Sequence, residues 1–298
     1  MVLIPVIFFA SCSAGTENTA SSSDSQQTSK TVQVVAAENF YGDIAKQLGG
    51  NHVNVTSILS DPNVDPHEYE STVQDAVRIS DADVVIENGA DYDTWMDKLI
   101  TASPNPNRSE IIAAKIAPNV LPDNPHFWYG IDNMPAISQS ITDDFKKADP
   151  SDSVSFDQNL ATFNASIQNI QQKMNDIKAK YNGTPVALTE TIGLYQTQAM
   201  GLVVLTPLEF EKAIAEGNDP PAETVQTTND QINKKMVKVL IYNGQTVTPI
   251  TSNLLDAAKK LNIPEVYVTE TMPAGKTYQS WMTDQLNALQ KALEQGVQ

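Results

Sequence analysis

Residues 156–181, FDQNLATFNASIQNIQQKMNDIKAKY, carry the strongest periodic signal in the chain. Phe156, Leu160, Phe163, Ile167, Ile170, Met174 and Ile177 fall alternately four and three positions apart. That spacing keeps returning to one side of an α-helix, so one stripe is buried and the opposite side is wet. At roughly 1.5 Å per residue the helix extends about 39 Å, enough to run along two small domains. A coiled-coil dimer would use a similar stripe. Few charges flank this one, however, and it lasts only about three heptads, which favours a packed connector.

On both sides of this helix, short β-branched runs alternate with helical patterns. Before it, strands are expected at 31–37, 53–58 and 83–86, with helices at 40–48, 69–80 and 92–101. After it, strands are expected at 185–189, 202–205, 237–242 and 264–269, with helices near 228–236, 252–261 and 278–293. Such alternation builds parallel sheets covered by helices. The expected fold class is α/β: two lobes with parallel β-sheets flanked by helices, joined by one long rigid connecting helix. The expected boundaries are 31–150 for the N-terminal lobe, 151–181 for the connecting helix and 182–298 for the C-terminal lobe.

The 298 residues carry 19 basic and 36 acidic side chains, a net charge of −17. That excess repels nucleic acid and anionic lipid surfaces and weakly concentrates cations. Cys12 is the sole cysteine, which excludes a disulfide within the chain and a thiolate metal site in the folded body. It closes an apolar stretch through Phe9-Ala10-Ser11-Cys12, so residues 1–12 read as the remnant of an export signal with a lipobox. A lipobox implies a diacylglycerol thioether on the Cys12 sulfur. Residues 13–30 are rich in Ser, Thr and Gln, too polar to bury a core, and read as a flexible tether.

Only three histidines are present. Two of them follow proline in apolar-aromatic settings: Asp65-Pro66-His67-Glu68-Tyr69-Glu70 and Asn124-Pro125-His126-Phe127-Trp128. Imidazole is a common ligand for first-row transition metals, and a preceding proline stiffens the backbone that presents it. We read His67 and His126 as half of a metal site. Either one alone would also fit an ordinary hydrogen-bonded imidazole, the role left to His52. In open α/β sheets, ligand-binding groups lie just beyond the carboxyl ends of strands. Glu190 and Glu270 stand there in the twin contexts Leu188-Thr189-Glu190-Thr191 and Val268-Thr269-Glu270-Thr271. Each acid separately also fits a helix cap. Together they place two carboxylates on one wall of an interlobe cleft, facing two imidazoles on the other.

These residues resemble the zinc/manganese solute-binding lipoproteins of metal ABC importers, over roughly 31–298. The Asp-Pro-His motif with Tyr-Glu following matches 65–70, and the second histidine motif matches Pro125-His126-Phe127-Trp128. Tyr129-Gly130-Ile131 replaces that family's Leu-Asp-Pro continuation, and Glu270 stands where aspartate is more usual. The resemblance implies a metal set of His67, His126, Glu190 and Glu270. It also implies one divalent ion, Mn2+ or Zn2+, as cargo rather than a catalytic cofactor, with an ABC permease as partner and no enzymatic activity. The expected protein is exported, lipid-anchored through Cys12 to the outer face of the bacterial cytoplasmic membrane, monomeric and indifferent to nucleic acid. A carboxylate-rich site suits manganese, whereas zinc outcompetes manganese at most fixed sites. A surface adhesin or structural lipoprotein remains a second reading. A metallohydrolase is disfavoured, because the chain has no His-Glu-x-x-His, nucleophile elbow or Gly-rich phosphate loop.

Overall fold

Two four-stranded parallel sheets lie on either side of the long helix in sequence. The structure, a computed structural model, describes residues 1–3, 30–61, 64, 66 and 69–297. His67 and Cys12 lie outside these, as does most of 1–30, so the signal and tether assignments are untouched by it.

The first sheet contains β1 (Val32–Glu38), β2 (Val53–Leu59), β3 (Val84–Glu87) and β4 (Ser109–Ile112) in the order β2-β1-β3-β4. The second contains β5 (Pro185–Leu188), β6 (Val203–Val204), β7 (Val239–Asn243) and β8 (Glu265–Val268) in the order β6-β5-β7-β8. Every pairing is parallel. The central strands are buried on both faces, which is why they read as near-continuous apolar runs rather than alternations.

The connecting helix spans Ser153–Tyr181, and all seven stripe residues are buried. It packs on the helices Asn39–Gly49 and Met134–Ala148 of the first half and on Leu194–Ala199 and Tyr278–Gly296 of the second. One continuous apolar cluster runs from Val32 through the stripe to Leu293. A smaller cluster covers the other face of each sheet. Polar ties also cross between the halves: the Asn39 side chain donates to Met272 O at 2.7 Å and accepts from Met272 N at 3.0 Å. The Tyr278 hydroxyl donates to Trp128 O, and the Tyr278 backbone N–H donates to Asp43 at 2.8 Å.

Some elements differ from expectation for local reasons. The helix expected from 69 begins at Val73, because Thr72 and Asp75 form a reciprocal capping box that fixes its start there. The strand expected at 202–205 shrinks to two residues between Gly201, at φ +68°, and the Thr206-Pro207 turn into the next helix. Edge strand β4 and the helices Met134–Ala148 and Leu208–Ala215 lay outside the expected elements. Among the described residues, no helix is long and apolar enough to cross a membrane.

Candidate metal centre

The carboxylate wall of the cleft is built at the carboxyl ends of two strands of the second sheet. Two residues beyond β5, Glu190 leaves the sheet in an extended conformation, and its Oε2 accepts from Ile192 N at 2.9 Å, capping a short 3-10 turn. Two residues beyond β8, the Glu270 backbone N–H is held by Gln245 Oε1 at 2.6 Å. Its carboxylate accepts from Asn243 Nδ2 at 2.7 Å and from the Tyr92 hydroxyl at 3.1 Å. Tyr92 comes from the opposite half, so this hydrogen bond joins the walls.

His126 arrives from the loop after Pro125, between the rings of Tyr92 and Trp128, whose centroids lie 6.0 and 5.2 Å away. Its Nδ1 is 2.8 Å from Asn124 Oδ1. Asn124 Nδ2 donates to Thr191 O at 2.8 Å, which fixes the amide orientation and leaves Oδ1 as an acceptor. Nδ1 therefore carries the proton, and Nε2 keeps its lone pair for the side facing Glu270 Oε2, 4.0 Å away. Among the described residues, one ligand atom from each of His126, Glu190 and Glu270 lies within 4.8 Å of the others, and each residue is 1% exposed.

Burial first, and then the charge of Glu270, pushes the Glu190 carboxyl well above its ordinary range. Two buried carboxylates this close cannot both ionise without a counter-charge. Glu190 Oε1 meets no hydrogen-bond donor among the described residues. A divalent cation among these atoms would supply the missing charge, take the Nε2 lone pair and displace any proton on the carboxyls. A cleft of about 400 Å3 opens onto His126 and Thr191, with Lys212 and Asp123 at its mouth paired across the two halves at 2.7 Å.

Of the four residues expected to bind metal, the structure brings His126, Glu190 and Glu270 together. His67 falls outside the described residues, although its neighbour Pro66 is buried. Sequence reasoning gave no role to Tyr92, Asn124 or Asn243, which orient the ligands. Asn243 ends β7, so the strand-end rule that found the two acids would have found it too. Tyr92 carried no such signal.

A second acidic group lies beside this centre. Glu38 at the end of β1 is fully buried, and neither carboxylate oxygen meets a hydrogen-bond donor among the described residues. Burial, followed by the charges of Asp93 and Glu87, pushes it well above the carboxylate range. Asp93 is raised to about 6 by burial, against the backbone N–H groups of Asn88 and Gly89 that it accepts at 2.7 and 2.8 Å.

The chain is similar to the metal ABC transporter substrate-binding lipoprotein ScbA of Streptococcus cristatus, at 22% identity over 98% of this chain and 97% of that one. It is 29% identical to the manganese-binding lipoprotein MntA of Bacillus subtilis over 54% of this chain and 53% of that one. In fold it matches the periplasmic zinc-binding protein TroA from Treponema pallidum with a TM-score of 0.73, at 17% identity over 88% of this chain and 99% of that one. Residues 34–292 match the family model described as ZnuA, zinc-uptake complex component A, periplasmic, and the chain belongs to that family.

Proposed function

We propose that this protein captures one divalent transition-metal ion between its lobes, 31–150 and 182–298, and delivers it to the permease of an ABC importer. His126, Glu190 and Glu270 are the ligands, and His67 is the fourth by its match to the family motif. The observation that carries this reading is the buried convergence of one imidazole and two carboxylates from opposite lobes. The relatives' names agree with it, since one binds manganese and another zinc.

The protein binds and releases its cargo without turnover. Cys12 anchors it by a lipid at the outer face of the cytoplasmic membrane, consistent with the lipoprotein names of its relatives. The oxygen-rich set favours manganese in use, while zinc binds more tightly in vitro. Elemental analysis after native purification, followed by calorimetric titration of the metal-free protein, tests the reading. Tight binding of one equivalent is expected, with a rise in melting temperature because the ion binds only the folded state. No heat and no thermal shift with either manganese or zinc would overturn it.

A further inference from the structure

A second group of potential metal ligands lies far from the cleft. His52 closes the turn that precedes β2, at the end of the first sheet opposite to Glu38 and the cleft. The length of β1, about 20 Å at roughly 3.3 Å per residue, separates the two ends. There His52 meets Asp149 and Asp152 from the link between the helices Met134–Ala148 and Ser153–Tyr181, and one ligand atom from each lies within 4.8 Å of the others.

Neither aspartate is fully used by its local backbone. Asp152 occupies the N-cap position of the long helix but makes no capping hydrogen bond; its Oδ2 instead lies 2.8 Å from His52 Nδ1. Asp149 is 5% exposed. Its Oδ1 accepts from Ser151 N at 3.3 Å and from Ser151 Oγ at 2.5 Å, whereas its buried Oδ2 meets no hydrogen-bond donor among the described residues. An unsatisfied buried carboxylate oxygen is costly, and a cation is one way to satisfy it.

We propose that His52, Asp149 and Asp152 form a second divalent-cation site, which ties the turn before β2 to the start of the connecting helix. One imidazole nitrogen and two carboxylate oxygens suit a first-row cation such as manganese or zinc. The cation sits between Nδ1 and Oδ2, 2.8 Å apart, and water fills its remaining positions, because His52 and Asp152 stay partly exposed. With fewer protein ligands and more solvent than the cleft, this site is the weaker of the two.

The test uses the purified protein loaded with one equivalent of zinc and then titrated with Mn2+, with free Mn2+ followed by electron paramagnetic resonance. The wild type should take up a second, weaker equivalent. His52→Gln and Asp149→Asn should each weaken that uptake about tenfold or more, while keeping the zinc and the wild-type circular dichroism spectrum. Absence of a second equivalent in the wild type would overturn the proposal. So would uptake of equal affinity in both variants.

Discussion

The first strand of each sheet delivers a glutamate to the cleft side of the molecule, Glu38 from β1 and Glu190 from just beyond β5, and the two meet different fates. The sheets share one strand order, so the backbone gives these acids matching stations. What differs is the company. Glu190 faces Glu270 and His126, a set that one divalent cation can neutralise and ligate. Glu38 faces Asp93 and Glu87 with no imidazole in that group, and burial, then like charge, pushes its carboxyl well above the carboxylate range. Both carboxyls are raised by burial and like charge, but only Glu190 has an imidazole within reach, so on the proposed ligand set only that station can be neutralised by a metal.

The largest test of this contrast is to remove the side proposed to hold the metal. Glu190→Ala or Glu270→Ala should weaken metal binding by at least about 100-fold, near 3 kcal/mol, in calorimetric titration. Glu38→Gln should leave the affinity within about threefold, because Glu38 is outside the group of converging ligands and the amide keeps its volume. Equal losses in the two sets would erase the distinction.

The pH dependence of the metal-free protein comes next in size. Glu87 is raised to about 8 by burial and then by Asp93, and Asp93 itself to about 6. These carboxyls bind protons more tightly folded than unfolded, so their stabilising contribution is complete below the ordinary carboxylate range. It is lost as pH rises through about 6 and then about 8. Across that window the metal-free protein should lose on the order of 2 kcal/mol of stability in urea titrations, and Glu87→Gln should flatten the loss. Metal should act oppositely: its binding displaces the proton at Glu190, so the thermal shift it gives should grow with pH over the same range.

Smaller effects bound the site. Tyr92→Phe removes one of the two side-chain donors to Glu270 among the described residues and should cost about tenfold in affinity, with Asn243 still holding the other oxygen. Lys212→Ala at the cleft mouth should leave the affinity within about twofold, with any loss seen only at low salt, because the pair with Asp123 is solvent-exposed.

Much of this arrangement was legible in the sequence because it rests on periodicity and local context. The four-three stripe of 156–181, the apolar runs of β1, β3 and β7, and the proline-histidine motif at 126 each announce their structure within a few residues. Edge strand β4 did not, since Ser109-Glu110-Ile111-Ile112 is half exposed and carries too few apolar positions for a pattern. Tyr92 and His52 were illegible for another reason. Their roles depend on partners 178 and about 100 residues away, which only tertiary folding supplies.

The Asn124 amide carries one further consequence. One end of it sets which nitrogen of His126 bears the proton, and the other end is bonded to Thr191 on the far lobe. Any separation of the lobes must break the Thr191 bond before it moves the carboxylates far. The amide is then free to rotate, and His126 loses the fixed acceptor that keeps Nε2 available. On the proposed ligand set, cargo affinity would be geared to closure: the same displacement that parts the walls would also blunt the nitrogen donor.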